Sequence, residues 1–321
     1  MTAADALRIA ASFGVDVAAA RARRLEGGYS NESWQVAASA GAVVVRRYGR
    51  LHVAAAAIAF EHAVIDHVAA RLDAVRAPLR DAGGATFRLE DGAFVAVFPW
   101  IPGTTGARDL ATGRAAARIL ARYHRAARDL HVSGGTRSSR FLGTLPWLHE
   151  SFKAFAGAGS PIARALPWNE LIVALGASTI RLAPLVRELP HVIVHGDPNP
   201  GNVVVADGVV RGLIDFDFAH ESERVYDVGA FVDEFARDEE GGPLRLDRIA
   251  PLVEAYAGEA PLSPAERGAL ADAMLRHAAT LTWYVVTRHG ERTPGDVGGA
   301  PQYAERVREI ARSIEAIRDA A

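Results

Sequence analysis

Residues Val192–Asp217 read VIVHGDPNPGNVVVADGVVRGLIDFD. The first apolar run meets His195-Gly196-Asp197 and a Pro- and Gly-broken loop that ends at Asn202. The second and third runs, Val203 to Ala206 and Val209 to Ile214, are joined by Asp207-Gly208. Two β-branched runs linked by Asp-Gly are a strong short-range signal for a hairpin with a two-residue turn. With Asp207 and Gly208 as that turn, Ala206 faces Val209, Asn202 falls opposite Leu213, and Asp215 opposite Pro200. Asn202 and Asp215 then stand diagonally at one mouth of the hairpin, roughly 7–8 Å apart. Asp197 sits on the loop that feeds the same mouth.

Two oxygen donors with a cation-sized gap, beside a loop carboxylate, suit a hard divalent ion holding a polyphosphate. The plainer alternative is a buried sheet with a polar rim, since Asp, Asn, Gly and Pro favour loops in any case. HGDPNPGN followed by LIDFD also resembles the signature of the aminoglycoside phosphotransferase, choline kinase and type II homoserine kinase superfamily, distant relatives of protein kinases. The D-x-x-x-x-N step and the later D-F couple resemble a kinase catalytic loop and its metal-binding motif. The resemblance spans roughly residues 25–290, and its diagnostic part is this central stretch. It implies an α+β, bilobal, protein-kinase-like fold. Residues 1–98 are then a nucleotide-binding lobe, 99–104 a hinge, and 105–321 a catalytic and acceptor-binding lobe.

The same resemblance assigns roles. Asp197 is the catalytic residue that accepts or orients the acceptor's proton, and Asn202 with Asp215 holds Mg2+ against the phosphates of ATP. His195 fixes the catalytic turn, Asp217 is a supporting acid on the Asp215 face, and Asp227 braces the catalytic loop. Gly27, Gly28, Ser30 and Asn31 match the nucleotide-covering loop, although the three glycines of protein kinases are not there. Arg46 stands where the family usually places a phosphate-binding lysine, and its planar fork is a competent phosphate donor. In the small lobe, Ile58, Glu61, Ile65, Val68 and Leu72 fall on one helical row. An acid in an apolar stripe needs a partner, and the family pairs that glutamate with the phosphate-binding base, here Arg46. Trp100 and Ile101, between Pro99 and Pro102, are the candidates for backbone contact with adenine, because proline has no N–H to offer.

Composition bounds the rest. The chain has 321 residues, 50% hydrophobic and 23% charged, with a formal net charge of −2. These values suit a globular protein with a substantial core and give no basic field for nucleic acid. It has no cysteine, so disulfides, thiolate metal sites and cysteine nucleophiles are excluded. With no apolar run of membrane length, a cytoplasmic protein without a membrane partner is expected. Lys153 is its only lysine.

Helices are expected near 5–13, 54–72, 113–130, 147–156, 169–188, 226–235, 264–288 and 302–320. Strands are expected at 34–37, 42–48, 86–89 and 94–98. Loops are expected at 132–145, 237–243 and 290–301. Asp233 and Glu234 read as a solvent-exposed face or as a contact for a cationic acceptor. The stretch LVEAYAGEAPLSPAERGAL (residues 252–270) and the helix carrying Thr282-Trp283-Tyr284 resemble homoserine-kinase-type members more than antibiotic kinases. The acceptor class stays open between homoserine-like amino alcohols or hydroxy amino acids and aminoglycosides. Two other readings remain: a nucleotide-binding pseudokinase without turnover, permitted by Arg46, and a metal-dependent hydrolase using His195, Asp197, Asp215 and Asp217.

Overall fold

A capping box opens the chain: the Asp5 N–H donates to the Thr2 hydroxyl and the Thr2 N–H to the Asp5 carboxylate, starting helix α1 (Ala3–Ser12). The computed structural model describes every residue except 27–30, 50–53, 131, 133–143, 159–160 and 293–296, and only the backbone of 289–292. The loop read at 132–145 therefore lies largely outside the described residues. Of the loop read at 290–301 only 293–296 do, and it is shorter than expected, since one helix runs on to Arg292 and the next begins at Ala300.

Strands β1 (Arg21–Arg24), β2 (Glu32–Ala38), β3 (Gly41–Arg47), β4 (Arg88–Glu90) and β5 (Ala93–Pro99) form one antiparallel sheet in the order β1-β2-β3-β5-β4. Strand β1 was not legible in the sequence because three of its four residues are arginines. It lies at the sheet edge, where charge guards against pairing with another chain. Period-two alternation decides the rest. Val43, Val45, Val95 and Val97 pack under α1. The opposite face carries Arg46, paired in register with Ala96, which packs against Ile58 of helix α2 (Ala55–Ala69).

The larger part is mostly helical. Helices α3 (Leu110–Ala127), α4 (Leu145–Gly157), α5 (Pro161–Ala165) and α6 (Trp168–Leu182) precede the central stretch. Strand β6 (His191–Val194) then leads into the His195 loop, and β7 (Val203–Ala206) and β8 (Val209–Leu213) make the hairpin. Strand β9 (His220–Glu223) returns to pair with β6. Helices α7 (Arg224–Phe235), α8 (Ile249–Ala257), α9 (Pro264–Arg292), α10 (Ala300–Arg312) and α11 (Ile314–Ala320) complete the chain. The sequence reading had no β9, α5 or α8. It also ran α10 and α11 together, whereas the chain breaks at Ser313. Helix α9 packs against both α7 and α10. Its approach to α7 is close because residue 229 is glycine: a Cβ there would lie 2.6 Å from the Ala273 Cβ. Among the described residues, no helix is long and apolar enough to cross a membrane.

The hairpin forms as expected, with Asp207 (φ 52°) and Gly208 (φ 70°) both left-handed, as a type I′ turn requires. Its register differs from the expectation. Ala206 faces Val209 and Val205 faces Val210, but Val204 then faces Gly212 and Val203 faces Leu213. Arg211 is thus the extra residue of a β-bulge, which shifts everything beyond it by one position. Ile214, not Leu213, meets Asn202, its N–H donating to the Asn202 carbonyl at 3.0 Å. Beside the bulge, Thr104 exchanges both backbone hydrogen bonds with Val205, at 2.9 and 2.8 Å.

Candidate active site

The loop from His195 to Asn202 is held from below by one carboxylate. Asp227, in the first turn of α7, accepts the His195 N–H (2.6 Å), the Gly196 N–H (2.8 Å) and the His124 imidazole Nε2 (3.0 Å). It has no solvent exposure. Burial alone would push its pKa up, yet the hydrogen bond and charge of His124, with the loop amides, hold it below the ordinary carboxylate value. His124 is positioned in turn by the Tyr256 hydroxyl, 2.6 Å from its Nδ1. Gly196 is required here twice over: its φ is +84°, and a Cβ would fall 2.2 Å from the Phe218 carbonyl oxygen.

His195 is fully buried and links two loops. The Asp197 N–H donates to its Nδ1 (3.3 Å), so Nε2 carries the proton and donates to the Ile214 carbonyl (3.0 Å). Burial lowers its pKa, which keeps the ring neutral. With both nitrogens engaged inside the protein, His195 is not a metal ligand, and the hydrolase reading loses its only histidine.

Above this floor, the Asp197 carboxylate accepts from Asn199 Nδ2 (2.8 Å) and from Asn202 Nδ2 (3.0 Å). The Asn202 amide also donates to the Asp197 carbonyl (2.8 Å), which leaves its Oδ1 as a hard oxygen donor. Burial pushes the Asp197 pKa up, against the opposing hydrogen bond from Asn199. Asp215 lies one residue past the contact with Asn202, in a left-handed conformation (φ 66°).

From the sheet, Arg46 Nη1 reaches Glu61 (3.4 Å), Asp215 (3.3 Å) and Asp217 (3.3 Å). Asn31 Nδ2 donates to Asp217 at 2.7 Å. Burial works against the charge on Arg46, but Asp215, Asp217 and Glu61 outweigh it and hold the group protonated. Glu61 is 1% exposed, and burial followed by repulsion from Asp217 raises its pKa. Among the described residues, one guanidinium faces these three carboxylates, an acidic setting of the kind that suits a divalent cation.

The structure therefore brings Asp197 to Asn202, and Arg46 to Glu61, Asp215 and Asp217, with Asn31 closing the group. Gly27, Gly28 and Ser30 lie outside the described residues. The Trp100 N–H donates to the Ala42 carbonyl (3.0 Å), so it is not the hinge donor foreseen. Among the described residues, no hydrogen bond engages the Ile101 N–H. Asp233 and Glu234 are not a solvent face: their exposures are 0% and 5%. Arg237, read as the start of a charged surface loop, is 1% exposed and bound to Asp233 at 2.8 Å. Sequence reasoning passed over His124, although a histidine beside Tyr123 on the apolar face of α3 was a signal that it needed a buried partner.

The profile of the phosphotransferase enzyme family, APH, matches residues 21–264. The homoserine kinase of Methylocella silvestris is 29% identical over 280 residues, 83% of this chain and 83% of that protein. The homoserine kinase of Phenylobacterium zucineum is 28% identical over 213 residues, 66% of this chain but only 62% of that protein. Among solved structures, a microcompartment-associated aminopropanol kinase superposes with a TM-score of 0.74 at 16% identity, covering 100% of this chain and 99% of its own. Spectinomycin phosphotransferase, in complex with ADP and spectinomycin, superposes with a TM-score of 0.66 at 12% identity, covering 98% and 99%. Likeness at such identities establishes the protein-kinase-like fold.

Proposed function

The chain belongs to the phosphotransferase enzyme family, and from that premise we propose that it moves the γ-phosphoryl group of ATP to a hydroxyl of a small molecule. The single observation that carries this reading is the convergence of Asp197, Asn202, Asp215 and Arg46 from loop, hairpin and sheet. We assign residues 1–98 to the nucleotide, 99–104 to the hinge and 105–321 to catalysis and acceptor binding. The acceptor oxygen forms a bond to the γ-phosphorus and the bond from that phosphorus to the β–γ bridging oxygen breaks. ADP leaves with the bridging oxygen, and the hydroxyl proton goes to an Asp197 carboxylate oxygen. Most of the rate enhancement in such a transfer comes from positioning and charge neutralisation. Arg46 supplies positive charge from the sheet, with Glu61 orienting it. The oxygen donor set of Asn202 Oδ1 and Asp215 fits Mg2+, which when bound neutralises phosphate charge. Ile101 offers a backbone N–H to the base.

Two expectations follow. The purified chain with ATP and Mg2+ releases ADP at least about tenfold faster in the presence of one member of a panel of amino alcohols, hydroxy amino acids, sugars and aminoglycosides. Retained ATP binding with no acceptor-dependent release from any of them would reduce the protein to a nucleotide-binding module. Second, Asp197 takes a proton only when ionised, and burial raises its pKa. The acid limb of kcat/KM then lies above the ordinary carboxylate value of 3.8, activity falling as pH drops through it. Removing the opposing Asn199 hydrogen bond in Asn199→Ala moves that limb to still higher pH. A limb at or below the ordinary value would exclude Asp197 as the base.

A further inference from the structure

Where α7, α9 and α10 meet, four ionisable side chains face one another away from solvent. Asp233 and Glu234 come from α7, His277 from α9 and Arg306 from α10, with exposures of 0%, 5%, 3% and 1%. Arg306 Nη1 bonds Glu234 Oε1 at 2.5 Å and stands 3.6 Å from Asp233 Oδ2. Asp233 Oδ1 is taken by Arg237 Nη2 at 2.8 Å, and Glu234 Oε2 lies 3.3 Å from Arg108 Nη2. What remains is unusual. Asp233 Oδ2, Arg306 Nε and Nη2, and both ring nitrogens of His277 have no hydrogen-bond partner among the described residues. His277 Nε2 reaches no nearer than 3.6 Å to Glu234 Oε1.

These five atoms are half of the ten buried side-chain nitrogen and oxygen atoms without a partner among the described residues. Buried polar groups are almost always satisfied, so a concentration of orphans marks a place where something binds. The place is beside the proposed chemistry. Helix α7 carries Asp227, which holds the His195 loop, and presents Asp233 and Glu234 six and seven residues further on, roughly 10 Å along the helix at 1.5 Å per residue. The His277 ring lies 6.4 Å from that of Tyr226, and the Glu234 carboxylate is among the groups that raise the Asp197 pKa.

The signs of the orphans say what would satisfy them. Around the cluster, the carboxylates of Asp233, Glu234 and Glu309 face the guanidiniums of Arg108, Arg237 and Arg306. Among the described residues charge is thus balanced, with an unpartnered carboxylate oxygen on one side and unpartnered guanidinium nitrogens on the other. An amine alone would leave the Arg306 nitrogens unpaired, and an acid alone would leave Asp233. A polycation would find no surplus negative charge.

We propose that Asp233, Glu234, His277 and Arg306 form the acceptor subsite and that its occupant is a small hydroxylated amino acid, the ammonium on Asp233 and Glu234 and the carboxylate on Arg306 and His277. The proposal rests on the phosphotransfer reading above and names the acceptor class for it.

The test uses the full wild-type chain with ATP, Mg2+ and three acceptors that differ by one group each: L-homoserine, 3-amino-1-propanol without the carboxylate, and 4-hydroxybutyrate without the ammonium. The expected kcat/KM for L-homoserine exceeds each of the others at least about 100-fold, the scale of one lost buried charge contact. Turnover of the amino alcohol within about threefold of the amino acid would overturn the subsite while leaving phosphotransfer intact. No turnover of any of the three would overturn the subsite, and phosphotransfer falls with it only if the sugars and aminoglycosides of the panel also fail. In Arg306→Gln the preference for L-homoserine over 3-amino-1-propanol collapses to within about tenfold, and an unchanged preference removes Arg306 from the site. Should that variant fail to fold, His277→Gln, which deletes no obligate charge, raises KM for L-homoserine about tenfold with a smaller change in kcat. An unchanged KM would overturn the assignment of His277. The competing occupant is a metal, since ligand atoms of Asp233, Glu234 and His277 lie within 4.8 Å of one another. Zn2+ titrated alone into the chain, binding at micromolar Kd and lost in His277→Gln, would replace the amino acid in this assignment.

Discussion

Asp197→Asn is expected to lower acceptor phosphorylation at least about 10³-fold, within the range for loss of a positioned general base. The substitution keeps the shape of the side chain but removes its basicity. It also puts an amide where Asn199 and Asn202 each donate a hydrogen bond. The amide has one acceptor oxygen for two donors, so a stability cost of about 1 kcal/mol accompanies the loss of activity. Asn202 is then less firmly oriented, which adds to the catalytic defect rather than standing apart from it, and the two residues are expected to be non-additive. The measurement is single-turnover transfer together with the ATP-induced rise in melting temperature. The rise is retained, because the Arg46 and Glu61 contacts are untouched. Transfer within about tenfold of the wild type would remove Asp197 from the chemistry.

Asp227→Ala is expected to cost about 3–5 kcal/mol of folding stability, the scale for removing one partner from a buried charged group. The carboxylate satisfies the His195 and Gly196 N–H groups and Nε2 of His124, and no water replaces it without entering a fully buried site. A urea midpoint shift corresponding to less than about 1 kcal/mol would show that the loop is held by something else. The same residue sets a pH dependence. Its folded pKa is depressed, so its contribution is present above the unfolded carboxylate value of 3.8 and disappears as pH falls below that value toward the folded one. The acid-unfolding curve of Asp227→Asn is correspondingly shallower in that window.

Local rules made several parts of the protein legible. The Asp207-Gly208 turn needed no tertiary information, because both residues adopt the left-handed conformation that Asp and Gly tolerate. An acid on the apolar stripe of α2 signalled that Glu61 needed a partner, and the family resemblance named Arg46, which stands 3.4 Å away. Ser263 and Glu266 cap the start of α9, with bonds of 3.2 and 2.9 Å, the local pattern of a Ser followed three residues later by a Glu. Register was another matter. The bulge at Arg211 moves Asp215 one step nearer Asn202 than alternation allows, and nothing in VVVADGVVRGL distinguishes a bulged hairpin from a regular one. The pairing of Thr104 with Val205 is a contact across 101 positions that hairpin rules do not contain.

The order of His195, Asp197, Asn202 and Asp215 along the chain, and the turn between the last two, were determined by the sequence itself, because strand and turn propensities act between near neighbours. What the tertiary structure alone decided was burial. Asp233, Glu234 and Arg237 look like solvated charges in any local window, and only the packing of α9 and α10 over α7 encloses them. Enclosure turns an ordinary charged helix end into a balanced, partly unsatisfied polar cluster beside Asp197. A charged group removed from water must find partners, and those partners come from helices that sequence proximity does not connect.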